Sequence, residues 1–226
     1  MCGITALISS SRDEIVSLRN KMLNLSKRIR HRGPDWNGIY INDDVIICHE
    51  RLSIVGVEHG SQPIQDPPNG DCNYVLSVNG EIYNYKELYK SVLHGKYNPE
   101  TQSDCEVIIH LYKEFGAECV KMLDGVFSFI LYDNISDQIL VARDPIGVVP
   151  LYYGITKNND IMFSSEMKVL KDDCLSISTF TPGHLLNFNI TKYQNSNKLI
   201  SYENSSKLIM PTVELTNYYN PHWDSE

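Results

Sequence analysis

A succession of strand-like runs in the second half of this 226-residue chain restricts its fold more than any other feature. The runs are rich in β-branched and aromatic residues, and turn-forming residues such as Asn134, Pro145 and Gly147 separate them. They cover residues 126–132, 138–143, 151–153, 161–164 and 184–188. Strands in direct succession pair mostly antiparallel, so the sequence predicts an α+β fold with helices on the sheet faces.

The first half of the chain predicts two longer helices. Ser11 and Glu14 form a candidate capping box for an amphipathic helix that ends near Arg30. Ser103, with the side chain of Glu106 reaching back to it, predicts the start of a second helix that ends near residue 116. The other predicted elements are a hairpin of 38–41 with 45–48, a strand at 74–78, and short helices at 85–93 and 117–123.

Composition and charge exclude several classes of partner. The formal net charge is -8, whereas binding to a phosphate backbone needs a basic surface, so we expect no nucleic-acid partner. No stretch is apolar enough to span a bilayer and the N-terminus lacks a leader pattern, which predicts a cytoplasmic protein with no membrane partner. The six cysteines are widely spaced, so we expect reduced thiols. His49-Glu50 begins a zinc-protease pattern, but Ser53 replaces its second histidine, and we expect no metal.

Cys2 stands where removal of Met1 would make it the N-terminal residue. The thiolate is the nucleophilic form of cysteine, and a free α-amino group with a pKa of about 7.7–8.0 can accept the thiol proton near neutral pH. One residue would then supply both nucleophile and base. If Met1 is retained, the nitrogen of Cys2 is a non-basic amide. A cysteine at position 2 also occurs by chance, so the functional interpretation needs further motifs.

Such motifs follow Cys2 along the chain. In order, they are Met1-Cys2-Gly3-Ile4, Arg30-His31-Arg32-Gly33-Pro34-Asp35, His49-Glu50-Arg51-Leu52-Ser53-Ile54-Val55, Asn79-Gly80-Glu81-Ile82-Tyr83-Asn84, Ser103-Asp104-Cys105-Glu106, Asp124-Gly125-Val126-Phe127, Ala142-Arg143-Asp144-Pro145-Ile146-Gly147, Pro150-Leu151-Tyr152-Tyr153-Gly154 and Ser164-Ser165-Glu166-Met167-Lys168. Over residues 1–190 the ordered set strongly resembles the glutaminase domain of glutamine-hydrolysing asparagine synthetases, with a fainter match at Tyr218, Tyr219 and Trp223.

The resemblance implies a fold that the strand and helix patterns do not establish by themselves. It is the N-terminal nucleophile hydrolase fold of class II amidotransferases, a four-layer αββα sandwich with two stacked antiparallel sheets. The predicted elements are compatible with this arrangement.

The resemblance also implies a role for each candidate residue in glutamine hydrolysis. Cys2 would attack the side-chain amide, and the Asn79 amide and the Gly80 N–H would bind the oxyanion. Arg51 would bind the α-carboxylate of glutamine with its planar guanidinium. The other implied substrate contacts are Leu52, Ser53, Ile54 and Val55 beside Arg51, and Glu81 and Asp104 at the α-ammonium group. Arg32 lies in a motif that borders the pocket in the family.

Three of these assignments have structural alternatives. Asn79-Gly80 is also the commonest dipeptide of a type I′ hairpin turn. Arg51 is also compatible with a surface ion pair, and Asp104 with the first turn of a helix capped by Ser103. The accompanying motifs favour the functional interpretation of Asn79, Gly80 and Asp104.

The same resemblance covers one domain at residues 1–190. The segment 191–226 is rich in Asn, Ser, Lys and Tyr and has little apolar periodicity, which predicts a polar arm or linker with low core content toward a synthetase domain. The chain has no Ser-Gly-Gly-x-Asp-Ser loop, which binds the pyrophosphate of ATP in asparagine synthetases. We therefore expect ATP and Mg²⁺ to belong to a separate or missing synthetase domain, and glutamine hydrolysis to need no cofactor.

The expected function is hydrolysis of L-glutamine to glutamate and ammonia through a Cys2 thioester. The ammonia would serve asparagine synthesis from aspartate in an asparagine synthetase domain or subunit. The alternatives are the glutaminase half of another class II amidotransferase and a non-catalytic glutamine-sensing or docking module.

Overall fold

The computed structural model describes residues 1–11, 15–53, 60–68, 72–101, 103–196 and 215–220. The helices are α1 (Ile15–Lys27), α2 (Tyr85–Glu87, continued by a π-helical turn at Leu88–Val92), α3 (Val107–Phe115) and α4 (Ile190–Asn195). The strands are β1 (Gly3–Ile8), β2 (Trp36–Ile41), β3 (Val45–Arg51), β4 (Ile64–Asp66), β5 (Tyr74–Ile82), β6 (Gly125–Asp133), β7 (Gln138–Arg143), β8 (Tyr152–Thr156), β9 (Ile161–Ser164), β10 (Cys174–Thr179), β11 (His184–Asn189) and β12 (Leu215–Asn217). No helix in these ranges is long and apolar enough to cross a membrane.

The strands form two six-stranded sheets in which neighbouring strands are antiparallel. The order is β10-β8-β9-β1-β3-β2 in the first sheet and β12-β11-β7-β6-β5-β4 in the second. In the first sheet Gly3 of β1 lies opposite Glu50 of β3. Cys2, which precedes Gly3, is therefore at the end of β3 that carries Arg51.

Alternating side chains along the strands produce three apolar layers. Ile4, Ile47 and Val141 belong to the layer between the two sheets. Leu7 of β1 belongs to a second layer, which α1 covers, and a third layer lies between the second sheet and helices α2 and α3. Three apolar layers separate four layers of secondary structure, so the predicted αββα sandwich is confirmed.

Most of the strands predicted from the sequence are confirmed. Strands β6, β7, β8, β9 and β11 overlap the five runs of the second half, and β2 and β3 form the predicted hairpin. Strand β1 was not predicted, because periodicity alone does not distinguish a short apolar run that is buried on both faces from a buried helix segment. Strands β4 and β12 contain only three residues each and give no pattern to detect.

Asn79 and Gly80 lie inside β5 and do not form a hairpin turn. Asn79 is opposite Ser128 of β6, and Gly80 is opposite Phe127. Gly80 has a φ of 147°, and a Cβ at this position would lie 2.1 Å from the carbonyl oxygen of Val126. Glycine is therefore required by the close approach of β6, and the turn interpretation of this dipeptide is excluded.

The helix predicted at Ser103 is present, but one of its predicted contacts is wrong. The Ser103 Oγ accepts a hydrogen bond from the Cys105 N–H at 3.3 Å, as expected for a capping residue. The carboxylate of Glu106 does not reach back to Ser103, and accepts instead from the N–H groups of Glu100 and Thr101, both at 2.7 Å. The N–H groups of Glu100 and Thr101 lie outside helices and strands, so they take the Glu106 carboxylate as their acceptor. Glu14, the other predicted capping acid, lies outside the described residues.

Part of the segment predicted to be a polar arm packs against the sandwich. Ile190 and Tyr193 of α4 are 0% and 3% exposed, and β12 pairs with β11. The Tyr218 hydroxyl donates to the carbonyl oxygen of Arg143 at 2.7 Å. Within 191–226, Tyr193, β12 and Tyr218 therefore contact the sandwich, although the segment is polar in composition. The domain boundary at residue 190 stays a prediction.

Gly33 connects the first helical region to the sheet that carries the candidate site. Helix α1 ends at Lys27, earlier than predicted, and a 3₁₀ turn at Arg30–Arg32 follows. A Cβ on Gly33 would lie 2.1 Å from the carbonyl oxygen of Glu50, so only glycine allows this turn to approach β3.

We predict that Gly33→Ala lowers the free energy of unfolding by about 3 kcal/mol, because the backbone of β3 must move to admit the methyl group. Gly95→Ala is the matched control: Gly95 has a φ of 69° and open space around its Cβ position, so only backbone strain of about 1 kcal/mol is added. Urea unfolding of both variants and the wild type measures the difference. Equal losses would contradict the steric explanation.

Candidate active site

A cavity of about 290 Å³ lies at one end of the sandwich. The start of β1, the end of β3 and the end of β5 meet there. The predicted site residues that line it are Cys2, Arg51, Leu52, Asn79, Gly80, Glu81 and Asp104. Residues that are far apart in sequence are thus brought to a single concave surface.

The side chain and the backbone of Cys2 are both held in place. Its Sγ accepts from the Leu52 N–H at 3.3 Å, and the Sγ lies 3.7 Å from the Leu52 carbonyl oxygen. The Arg32 Nε donates to the Cys2 carbonyl oxygen at 3.0 Å. Two residues further on, the Ile4 N–H donates to the Ser165 Oγ at 2.9 Å. Leu52 therefore holds the thiol at the cavity wall, while Arg32 and Ser165 hold the backbone of Cys2 and of Ile4.

Burial raises the pKa of the Cys2 thiol above its ordinary value. The Leu52 N–H, the positive N-terminus, Arg51 and Arg32 oppose this effect without cancelling it. The thiol is therefore mainly protonated near neutral pH, and a nucleophilic reaction needs a base to remove its proton. An α-amino group on Cys2 itself would be suitably close, whereas in the chain that retains Met1 this nitrogen is an amide.

Asn79 presents an unused hydrogen-bond donor at the cavity. Its side chain is 1% exposed, and its Nδ2 has no hydrogen-bond partner among the described residues. The preceding residue is held firmly: the Val78 N–H donates to the Gln62 Oε1 at 2.8 Å, and the Gln62 Nε2 donates to the Val78 carbonyl oxygen at 3.0 Å. A buried donor on a fixed backbone is suited to bind developing negative charge.

Arg51 is not a surface residue. It is 7% exposed at the end of β3 and lines the cavity, so the interpretation as a surface ion pair is excluded. Its guanidinium is a buried cation at the wall where Cys2 also lies. A ligand carboxylate in the cavity would therefore meet a partly desolvated, planar donor group.

Two carboxylates lie on another part of the cavity wall. The Asp104 Oδ2 accepts a hydrogen bond from the Ile82 N–H at 2.6 Å, which connects the turn before α3 to β5. Glu81 is on β5 itself and is exposed. Together with Arg51 they give the cavity wall both signs of charge, as a zwitterionic ligand would require.

Of the four residues predicted beside Arg51 at the cavity wall, the structure describes Leu52 and Ser53. Leu52 lines the cavity, while the Ser53 N–H donates to the Asp35 Oδ2 at 2.8 Å and is engaged in this structure. The other two residues, Ile54 and Val55, lie outside the described residues.

Sequence reasoning missed several residues of the cavity wall. Gln62, Tyr83 and Val149 line the cavity but were not predicted as site residues. Val149 lies on a loop that is held by the carboxylate of Asp144. The Asp144 Oδ2 accepts a hydrogen bond from the Val149 N–H at 3.0 Å, and the Asp144 Oδ1 accepts one from the Val148 N–H at 2.9 Å. The matched motif that contains Asp144 was the sequence signal nearest to Val149, but the resemblance assigned no role to the residues that follow this motif.

His49 lies between the sheets, where its Nδ1 is 2.9 Å from the Ser77 Oγ. Burial, together with the positive charge of Arg51, lowers the pKa of His49 to about 3. The ring is therefore neutral near pH 7. In the described ranges, no group of three or more His, Cys, Asp or Glu side chains could hold a metal ion.

The sequence pattern of the glutamine amidotransferase domain matches residues 1–218. The chain belongs to the glutamine amidotransferase domain family. Similar proteins include a probable glutamine-hydrolysing asparagine synthetase of Dictyostelium discoideum, which is 48% identical over 99% of this chain, and one of Schizosaccharomyces pombe, which is 44% identical over 95%. The aligned regions are 36% and 39% of those proteins, so this amidotransferase domain spans little more than a third of their length.

Solved structures share the fold of this amidotransferase domain. One is described as the allosteric regulatory enzyme of purine biosynthesis, with a TM-score of 0.71 at 18% identity. Another is the glutamine phosphoribosylpyrophosphate amidotransferase of B. subtilis, with a TM-score of 0.68 at 16% identity. Each match covers 96% of this chain and 49% of the other. The predicted class of N-terminal nucleophile fold is thereby confirmed.

Next to the cavity of the amidotransferase domain, Glu166 forms a compact ionic cluster. Its Oε1 is 2.7 Å from the His31 Nε2 and 3.2 Å from the Arg32 Nη1, and its Oε2 is 2.9 Å from the Lys168 Nζ. Burial opposes ionisation of Glu166, but hydrogen bonds from Lys168, His31 and Arg32 outweigh it and lower its pKa to about 2.

We predict that Glu166 stabilises the fold at neutral pH and ceases to do so in acid. Because its folded pKa lies below the value of about 4.3 for an unfolded glutamate, the stabilisation is complete above that value and disappears as the pH falls toward about 2. Urea unfolding should show a stability difference between wild type and Glu166→Gln at about pH 7 that shrinks through this window. A difference that stays constant with pH would contradict the low pKa.

Proposed function

We propose that the chain hydrolyses the side-chain amide of glutamine to glutamate and ammonia, with Cys2 as nucleophile. The observation that carries the proposal is the meeting of the Cys2 thiol, the unpartnered Asn79 amide donor and the buried Arg51 guanidinium around one cavity. These groups correspond to a nucleophile, an oxyanion donor and a carboxylate-binding cation. The family and the names of the relatives support glutamine as the substrate.

In the proposed mechanism, removal of Met1 gives Cys2 a free α-amine that takes the thiol proton. The sulfur attacks the amide carbon of glutamine, and the carbonyl electrons move onto an oxygen bound by the Asn79 Nδ2 and the Gly80 N–H. The amine then protonates the leaving nitrogen, and the C–N bond breaks to release ammonia. Water, deprotonated by the same amine, cleaves the remaining thioester, which yields glutamate and restores the thiol.

Substrate selection follows from the charges of the cavity wall. Arg51 binds the α-carboxylate of glutamine, and Asp104 and Glu81 bind its α-ammonium group. Leu52 contributes to the same wall and fixes the sulfur through its backbone. A glutamine side chain within a protein lacks both free charges, so the site prefers the free amino acid.

We propose further that the ammonia serves asparagine synthesis from aspartate in a synthetase domain or subunit. The relatives' names and the partial coverage of their length support this partner. The amide hydrolysis needs no cofactor in this mechanism, while ATP and Mg²⁺ act in the synthetase part. We expect the reaction to take place in the cytoplasm.

Glutamine turnover by the mature chain tests the proposal. Intact mass should show loss of Met1, and this material should release ammonia from glutamine. Cys2→Ala should abolish release, because no other group replaces the sulfur. Cys174→Ala is the matched control, since Cys174 is a partly exposed free thiol that does not line the cavity, and it should retain activity. Binding of glutamine without turnover by correctly processed protein would favour a glutamine sensor instead.

Arg51 and Asn79 should affect different kinetic constants. We predict that Arg51→Ala raises KM for glutamine by about 100-fold, because truncation removes a buried charge partner of the substrate. Asn79→Ala should lower kcat by about 100-fold with a smaller change in KM, because its donor is needed most when charge develops on the oxygen. Steady-state ammonia release at varied glutamine concentration measures both constants. The reverse pattern would reject these two roles.

A further inference from the structure

Once Met1 is removed, Cys2 has a single covalent neighbour, so noncovalent contacts must fix its orientation. The Arg32 Nε donates to its carbonyl oxygen at 3.0 Å. The α-amine and the sulfur both belong to Cys2. Rotation of the Cys2 backbone would therefore move nucleophile and base together away from the Leu52 N–H.

The guanidinium of Arg32 is in turn held by Glu166. The Arg32 Nη1 lies 3.2 Å from the Glu166 Oε1. Its Nη2 is buried and has no hydrogen-bond partner in the part of the chain that the structure describes. Two contacts therefore hold this fork, one to the Cys2 backbone and one to Glu166.

Glu166 is well fixed for this task. His31 and Lys168 contact its carboxylate from other directions, at 2.7 and 2.9 Å. The side chains of Arg32 and Glu166 are 12% and 21% exposed, so solvent screens their interaction less than that of a surface pair. The next residue back, Ser165, bonds both the N–H and the carbonyl of Ile4, at 2.9 and 3.0 Å. The segment that carries Glu166 is thus anchored to the same strand as Cys2.

We propose that Glu166 is a positioning residue for the amide hydrolysis, which acts by holding Arg32 against the carbonyl of Cys2. The inference rests on the proposed function, and Glu166 itself touches neither the substrate nor the sulfur. Loss of its charge leaves Arg32 free to turn toward solvent, and the N-terminal residue then samples unproductive orientations. Such misplacement lowers the rate of the chemical step more than the affinity for substrate.

The test compares Glu166→Gln with wild type in the full chain after loss of Met1. Glutamine is nearly isosteric with glutamate, and melting temperature checks that the variant folds. We expect kcat for ammonia release to fall about tenfold with KM changed less than about twofold, since Arg51 and Asp104 are untouched. Asp172→Asn is the matched control: it removes a carboxylate paired with Arg28 at 2.7 Å on an exposed surface, and should leave both constants unchanged. If Glu166→Gln does not fold, Glu166→Asp replaces it in the test. This variant keeps the charge but shortens its reach, so its kcat should fall below that of wild type by less than the tenfold expected for Glu166→Gln.

A double-mutant cycle separates action through Arg32 from an independent effect. Arg32→Lys keeps the positive charge but loses the fork that spans Cys2 and Glu166, so it should also lower kcat. If Glu166 acts through Arg32, the double variant should be no slower than Arg32→Lys alone. Multiplying effects, or an unchanged kcat in both folded Glu166 variants, would overturn the inference while the proposed function stands. Processed wild type that releases no ammonia would instead overturn the proposed function, and the inference with it.

Discussion

Backbone pairing between β1 and β3 brings the first residues of the chain to the strand end that carries Arg51. Both strands are buried on both faces, so a slip by one residue would exchange the side chains that fill the two apolar layers on either side of the sheet. The observed register places Cys2 where Leu52 can bond its sulfur and Arg32 its carbonyl. The candidate site depends on this pairing, since it brings Cys2 within reach of both contacts.

The polar end of the sandwich is stabilised by the apolar remainder. Arg51 and Asn79 are buried, and the unpartnered Asn79 Nδ2 costs about 1–3 kcal/mol. The apolar layer between the sheets offsets that cost. The donors are therefore held in place before a ligand arrives, which is the condition for strong electrostatic stabilisation of a developing oxyanion. Gly80 belongs to the same design, since any side chain there would collide with β6.

Much of the fold could be predicted from the sequence, because runs rich in β-branched and aromatic residues between turn-forming residues, such as those of β6 and β7, are typical of strands. Strand β1 escaped prediction since a strand buried on both faces looks like any short apolar run. The carboxylate of Glu106 was assigned to Ser103 by a local rule, but the loop N–H groups of Glu100 and Thr101 bind it. The C-terminal segment was predicted to be an arm from its polar composition, whereas Tyr193 within it is buried in the apolar layer between the sheets.

The sequence by itself determined the chemical inventory of the site: a cysteine at position 2, an Asn-Gly pair, an arginine and two carboxylates, in an order that resembles one family. Only the tertiary structure decided which of these share a cavity, that Asn79-Gly80 is strand and not turn, and that Arg51 is buried. It alone revealed that Glu166 contacts Arg32, although Glu166 lies far along the chain from both Arg32 and Cys2. The physical reason is that the type of a residue determines which chemistry its side chain can perform. The neighbours of that side chain, and hence its charge state and its available donors, arise from strand pairing and packing between distant segments.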